Sequence, residues 1–136
     1  MTFVVDASVT LAWCFDDELS QRADLVLDRL TKENAVAPAI WPLEVANGLR
    51  SAERRNRLAA GELPGLRQLL SALPIRVEPV SLDGALSEVL EMARALELTA
   101  YDAAYLAVAV RHGLPLATLD DRLRTAAERA GIAVLG

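Results

Sequence analysis

Residues 98–123 read LTAYDAAYLAVAVRHGLPLATLDDRL, and this stretch decides the fold. It predicts a helix, a turn, a short buried strand and the start of a second helix. Thr99 can cap the first helix with Asp102 as the acidic partner of a capping box, and Gly113 can end it. A helix that directly precedes a strand in a short αβ unit usually runs antiparallel to it. We therefore expect Asp102 and Asp120 to be neighbours, although they are far apart in sequence.

The rest of the chain repeats this alternation of short apolar strands and amphipathic helices. The predicted strands are residues 2–5, 35–38, 76–80, 114–117 and 132–135. A tight turn at residues 6–8 leads into the first predicted helix, which runs through residue 13. The other predicted helices are residues 19–32, 42–57, 66–73, 81–96, 99–112 and 121–130. Such alternation favours an α/β fold with a central, mainly parallel sheet of about five strands, covered by helices on both faces. A length of 136 residues fits one domain, residues 1–136.

The helix at residues 81–96 has an apolar side that we predict to be buried. Its members are Leu82, Leu86, Val89, Leu90 and Ala93.

Composition argues against several classes of protein. The formal charge of -5 argues against nonspecific nucleic-acid binding through net charge. The longest uncharged run is residues 34–43, whereas a membrane span needs about 18 apolar residues. No signal peptide is visible, so we expect a cytoplasmic protein that does not contact a membrane.

Cys14 is the only cysteine and lies in an apolar stretch, which predicts a buried, inert thiol.

The distribution of basic residues matters more than their sum. Thirteen of the fourteen are arginine, and four fall within eight positions: Arg50, Arg54, Arg55 and Arg57. This local basic stripe could attract a nucleic-acid backbone even on an acidic protein. A solvated helix face is the alternative interpretation.

Four acids are predicted to meet at the edge of the sheet where the strands have their carboxyl ends. Asp6 and Asp120 close the first and fourth strands, while Glu44 and Asp102 begin helices. Ligands of parallel sheets bind outside this edge. Each acid alone is explained by a helix cap or by the helix dipole. Four converging carboxylates, however, would raise one another's pKa and invite a divalent cation, and oxygen ligands suit Mg²⁺ or Mn²⁺ better than zinc.

Hydroxyl groups accompany two of these acids. Ser8 lies two residues after Asp6, and Thr118 lies two residues before Asp120. Their hydroxyls could orient a carboxylate, a metal-bound water or a phosphate. A turn or cap hydrogen bond is the alternative.

Other polar and aromatic residues receive weaker assignments. Asn47 is three residues after Glu44 and shares its helix face. His112 lies at a helix end, where it complements the dipole, and is not a credible catalytic base. Core packing is favoured over a base-stacking role for four aromatic residues: Trp13, Trp41, Tyr101 and Tyr105.

At these residues the sequence resembles the PIN-domain nucleases, specifically the VapC-type toxins of bacterial and archaeal toxin–antitoxin pairs. The resemblance rests on four segments in family order: VVDAS (4–8), APAIWPLEVAN (37–47), LTAYDAAYLAVA (98–109) and PLATLDDRL (115–123). It covers nearly the whole chain and implies a PIN-like three-layer sandwich.

The resemblance also implies an activity, a cofactor and partners. The activity would be endoribonucleolytic hydrolysis of RNA phosphodiester bonds with one or two Mg²⁺ or Mn²⁺ ions. The implied catalytic metal ligands are Asp6, Glu44, Asp102 and Asp120. Ser8, Asn47 and Thr118 match supporting positions, whereas Asp121 either shares metal binding or simply begins a helix. The implied partners are RNA, a second copy of the chain and a VapB-type antitoxin whose segment enters the active-site groove.

Two other functions stay open. A catalytically degenerate domain could bind only RNA or a protein, although the presence of all four acids argues against it. A phosphoryl-accepting receiver or a phosphatase ranks last, because the only lysine, Lys32, does not follow a late strand. Position 8, two residues after Asp6, is also Ser rather than a second Asp.

Overall fold

Five parallel strands form the central sheet of the computed structural model, which describes residues 2–15 and 20–136. The strands are β1 Phe3–Val5, β2 Ala35–Pro38, β3 Ile75–Glu78, β4 Leu116–Ala117 and β5 Val134–Leu135. Their order across the sheet is β3-β2-β1-β4-β5. The predicted parallel α/β sheet is confirmed, although most strands are shorter than the apolar runs that predicted them.

The helices alternate with these strands. They are α1 Ala7–Ala12, α2 Ser20–Arg29, α3 Trp41–Arg54, α4 Leu63–Ser71, α5 Leu82–Gly84, α6 Leu90–Leu96, α7 Ala100–His112 and α8 Asp121–Arg129. A 3₁₀ turn at Ala60–Glu62 precedes α4, and a π-helical segment at Ala85–Val89 joins α5 to α6. Leu19, the predicted first residue of the second helix, lies outside the described residues. No helix among the described residues is long and apolar enough to cross a membrane.

Both faces of the sheet are buried, and β1 shows how. Successive strand side chains point to opposite faces. Phe3 and Val5 pack into a cluster with residues of α1 and α2, whereas Val4 packs into a second cluster with α7 and α8. All three are completely buried. The result is a sheet between two helical layers, the predicted three-layer sandwich.

The predicted burial of the apolar side of residues 81–96 is wrong in part. Val89 and Ala93 are buried and pack against Ala103 and Ala107 of α7. The three leucines are exposed instead, by 75% at Leu82, 60% at Leu86 and 40% at Leu90. The π-helical segment adds a residue to the turn and so changes the helical phase of Leu82, which precedes it, relative to the residues after it. Leu86 lies within the segment, whereas Leu90 follows it and its exposure is not explained in this way.

Chain order gives the sheet a switch point between β1 and β4. The chain moves outward from β1 through β2 to β3, then returns to the other side of β1 to form β4 and β5. Val5 lies beside Ala117 in the pairing of β1 with β4. Asp6 and Thr118 directly follow these two residues, so they lie together at the carboxyl edge, where α/β sheets bind ligands.

Candidate active site

Asp6 is the buried centre of the site. It is 3% exposed and caps α1: Oδ1 accepts from the Val9 backbone N–H at 3.0 Å and from Ser8 Oγ at 2.7 Å. Oδ2 accepts from the Thr118 hydroxyl. Burial raises the pKa of Asp6 from 3.8 to about 6; these three bonds oppose the rise, and the Asp120 charge adds to it. The site therefore contains a carboxylate that is costly to ionise.

A hydrogen-bond chain ties Asp6 to the segment after β4. Thr118 is completely buried, and its Oγ1 also accepts from the Asp120 backbone N–H at 3.0 Å. Ser8 Oγ accepts from the Leu119 N–H at 2.9 Å. These hydroxyls bridge the two loops of the switch point, and the sequence-based expectation that they could orient a carboxylate agrees with these contacts.

Asp120 serves as the N-cap of α8. Its Oδ1 accepts from the backbone N–H groups of Arg122 at 2.9 Å and Leu123 at 3.1 Å. The capping interpretation of Asp6 and Asp120 is therefore correct, and it does not exclude metal binding, because a carboxylate has more lone pairs than these bonds use.

Asp102 lies in the first turn of α7, half-buried. Its backbone N–H donates to Thr99 Oγ1 at 3.1 Å, which is one half of the expected capping box. Gly113, at φ +65°, ends the helix in the left-handed conformation. Burial raises the pKa of Asp102, the nearby Asp120 charge raises it further, and Arg122 and Thr99 oppose the rise. The predicted proximity of Asp102 and Asp120 agrees with this electrostatic interaction.

Glu44 reaches the site from the first turn of α3. Its Oε1 accepts from the Tyr105 hydroxyl at 2.5 Å. Tyr105 is only 2% exposed, and its pKa is raised by burial, by Glu44 and by the charge of Asp6. Glu44 and Asp6 are therefore both close to one phenol.

The four acids interact in pairs. Asp120 is close enough to affect the pKa of both Asp6 and Asp102, and Tyr105 links Glu44 to the neighbourhood of Asp6. Among the residues that the structure describes, no three His, Cys, Asp or Glu side chains stand close enough to share one metal ion. A shared ion would therefore require side-chain rotation, for which the half-buried Asp102 and the exposed Asp120 have room.

A buried threonine that sequence reasoning missed fixes α3 against α1. Thr10 is completely buried; its Oγ1 donates to the Asp6 carbonyl at 2.9 Å and accepts from Trp41 Nε1 at 2.9 Å. Trp41 is the first residue of α3, so this bond helps to place Glu44 one turn later. No sequence pattern marked Thr10, because a threonine within an apolar helix carries no signal of its partner.

The remaining supporting candidates differ in position. Asn47 is exposed and lines a depression of about 550 Å³ together with Glu44, Ser8 and Tyr101. Asp121 is the exposed first residue of α8, and its carbonyl accepts from Thr125 Oγ1 at 3.0 Å. This backbone contact fits the start of the helix, and a share of Asp121 in metal binding stays a prediction.

The arginine stripe separates into two parts. Arg50 pairs with Glu53 at 3.6 Å on α3, and Arg54 is the last residue of that helix. Arg55 and Arg57 line a second depression, of about 240 Å³, and the Arg57 guanidinium lies 4.7 Å from the centre of the Phe15 ring. The two depressions adjoin, because they share three lining residues: Ser8, Leu11 and Gly48.

The aromatic residues predicted to pack in the core do so unequally. Tyr105 is buried, and the Trp13 indole N–H donates to the Ala23 carbonyl at 2.8 Å. Trp41 is half-buried and donates to Thr10. For Tyr101 the prediction is wrong: its ring is 60% exposed, because Tyr101 lies at the solvent-facing start of α7, beside the larger depression.

His112 and Cys14 lie outside the acidic cluster. His112 Nε2 contacts Glu78 Oε1 at 2.6 Å, and Arg111 also pairs with Glu78. Burial raises the pKa of the half-buried Cys14 thiol, which agrees with an inert side chain.

Comparison with known proteins identifies the family. The PIN-domain family model matches residues 3–129. The chain is 34% identical over 131 residues to Ribonuclease VapC3 of Pyrobaculum aerophilum, covering 90% of this chain and 92% of that protein. It is 33% identical over 120 residues to Ribonuclease VapC9 of Mycobacterium tuberculosis, covering 88% and 87%.

Solved structures share the fold. PAE2754 from Pyrobaculum aerophilum superposes with a TM-score of 0.72 at 28% identity, covering 98% of this chain and 90% of that one. A chain of a toxin–antitoxin complex from Klebsiella pneumoniae gives 0.62 at 18% identity, covering 88% and 87%. FitAcB from Neisseria gonorrhoeae gives 0.67 at 20% identity, covering 99% and 97%. The chain therefore belongs to the PIN-domain family and, within it, to the VapC type.

Proposed function

We propose that this protein is a metal-dependent endoribonuclease that uses Asp6, Glu44, Asp102 and Asp120 as its catalytic acids. The observation that carries the proposal is the buried Asp6 at the switch point of the sheet, with Asp120 close enough to raise its pKa. Ionised together, these carboxylates repel one another, and a divalent cation would remove that penalty. The names of the sequence relatives support RNA as the substrate.

The residues present fit Mg²⁺ or Mn²⁺. The donors at the site are carboxylate and hydroxyl oxygens, while His112 contacts Glu78 and Cys14 donates to the Thr10 carbonyl. Oxygen-rich sites suit these hard cations rather than zinc. Asp6, Glu44, Asp102 and Asp120 would hold the ion or ions. When bound, such an ion activates a water and neutralises the charge that develops on the phosphate.

Residues of the protein itself hold the catalytic groups in position and contact the RNA. Ser8, Thr118 and the Val9 N–H fix the direction of the Asp6 carboxylate. Asn47 lies on the same depression as Glu44, where its amide can bind an RNA phosphate or sugar. Asp6 would thus be a preorganised ligand for the ion, to which Asp102 and Asp120 turn when it binds, and the bound ion would attract the scissile phosphate to the carboxyl edge.

The two adjoining depressions offer a route for the RNA strand. At one end Arg55 and Arg57 supply positive charge for the backbone, and at the other the exposed Tyr101 ring can stack on an unpaired base. Arg50 and Arg54 line neither depression, so we assign them a smaller share of RNA binding. The proposed route passes Ser8 and Glu44 between its ends.

Replacing Arg55 with Gln is expected to weaken RNA binding and its dependence on salt. In an Asp102→Asn background, which prevents cutting, the slope of log affinity against log salt for single-stranded RNA should fall by about 0.7, because one phosphate contact is lost. Arg94→Gln, an exposed arginine on α6, is the matched control and should leave the slope unchanged. If the slope is the same for Asp102→Asn alone, with Arg55→Gln and with Arg94→Gln, Arg55 does not contact the RNA backbone.

A VapB-type antitoxin is the partner that we propose for this domain, with its inhibitory segment in the larger depression. The Klebsiella pneumoniae chain that shares the fold comes from a toxin–antitoxin complex, which supports a partner of this kind. Homodimer formation stays a prediction.

The direct test is cleavage of total RNA by antitoxin-free protein with Mg²⁺, with Mn²⁺ and with a chelator. Wild-type protein should give discrete products with metal and none with the chelator, and Asp102→Asn should give none in any condition. Asp83→Asn removes an exposed acid of α5 with the same change of charge and should cut like wild type. Unchanged cutting by Asp102→Asn or by chelated protein would refute the proposal, and RNA binding without cutting would favour the degenerate binding domain.

A further inference from the structure

We infer that Tyr105 is a positioning residue that fixes the Glu44 carboxylate for metal binding. The inference rests on the proposed function, because it concerns one of the acids assigned there. The sequence predicts Tyr105 in the core, and its ring is there, in one buried cluster with Val4, Leu106 and Leu116. The hydroxyl, by contrast, leaves the core and enters the acidic site.

The contacts of this hydroxyl join two helices. It donates to Glu44 Oε1 at 2.5 Å, and the backbone amide of Ala7 is close enough to oppose the rise in its pKa. Ala7 begins α1 and directly follows Asp6, so the phenol connects the N-terminus of α1 to Glu44 on α3. A buried aromatic ring has two side-chain torsions, and packing fixes both, which makes its hydroxyl a rigid donor.

A rigid donor on one carboxylate oxygen determines where the other oxygen points. With Oε1 held by Tyr105, a metal ion would meet Oε2 of Glu44. Glu44 is otherwise a partly exposed glutamate on the first turn of a surface helix, free to adopt several rotamers. Hydrogen bonds to metal-ligating carboxylates orient them, and losing such a partner typically lowers metal affinity by about 10–100-fold.

The test is Mn²⁺ affinity, measured by electron paramagnetic resonance titration of the free ion without RNA. Tyr105→Phe should weaken Mn²⁺ binding by about 10-fold or more. The same substitution should have no further effect in a Glu44→Ala background, because the donor would then have no carboxylate to orient. Val108→Ala, which trims a buried side chain one turn along α7, controls for loss of stability and should bind Mn²⁺ like wild type.

The outcomes separate this inference from the proposed function. Equal Mn²⁺ affinity in wild type and Tyr105→Phe would overturn the role of Tyr105 and leave the nuclease proposal standing. An equal loss in Val108→Ala would also overturn it, since general destabilisation would then account for the effect. Wild-type protein that binds no Mn²⁺ would refute both the metal site and the positioning of its ligand.

Discussion

Asp6→Asn is expected to abolish RNA cleavage and, in chelated protein, to raise the free energy of unfolding at pH 7.5 by about 3 kcal/mol. The pKa of Asp6 is about 6 in the folded protein, against an ordinary value of 3.8. Ionising this carboxyl therefore destabilises the folded state by about 3 kcal/mol. Asn is also a good N-cap, so Val9 and Ser8 keep an acceptor. Removing the charge thus stabilises the fold while removing a proposed metal ligand.

Urea unfolding at two pH values checks the stability half of this prediction. A raised carboxyl pKa favours the protonated folded state, so the stability of the wild type falls as pH rises from about 4 to 7. The difference in free energy of unfolding between Asp6→Asn and the wild type should therefore shrink to about 1 kcal/mol at pH 4.5. Asp24→Asn, at an exposed position on α2, should stay within about 0.5 kcal/mol of wild type. An Asn variant less stable than wild type at pH 7.5 would mean that the hydrogen bonds of Asp6 outweigh its desolvation.

The position of the acids followed from sequence because it depends on topology. Short apolar strands alternating with helices favour a parallel sheet that is buried on both faces, in which β1 and β4 end at the same edge. Asp6 follows β1, and Asp120 follows β4 by three residues. The observed pairing of β1 with β4 then makes the two acids neighbours, and that strand order was not predicted from the sequence. Their assignment as metal ligands stays a prediction.

The roles of Tyr105 and Thr10 could not be predicted in the same way. Each is an ordinary residue of an apolar helix, and its polar atom finds a partner 61 residues away in one case and 31 in the other. The exposure of Leu82 and Leu86 was not predicted, for a different reason. A π-helical segment changes the phase of a helix, and periodicity at 3.6 residues per turn does not reveal it.

Mn²⁺ is expected to stabilise the protein strongly at pH 7.5 and weakly at pH 4.5. At an ion concentration 100 times the dissociation constant at pH 7.5, ligand linkage raises the free energy of unfolding by about 2.7 kcal/mol. Ligating carboxylates must be ionised, so below the Asp6 pKa of about 6 the ion competes with a proton, and affinity falls about tenfold per pH unit. The raised pKa of Asp102 acts in the same direction.

Thermal or urea unfolding with and without Mn²⁺ measures this difference. At the same ion concentration, the gain at pH 4.5 should drop below about 1 kcal/mol. Asp6→Asn should show little gain at either pH, whereas Asp24→Asn should follow the wild type. A gain in wild-type protein that is the same at both pH values would place the ion away from Asp6, because a site built on that carboxyl must compete with its proton. Because Asp6 and Asp102 both have raised pKa values beside Asp120, we expect pH and metal to affect the stability of the fold through the same charged groups.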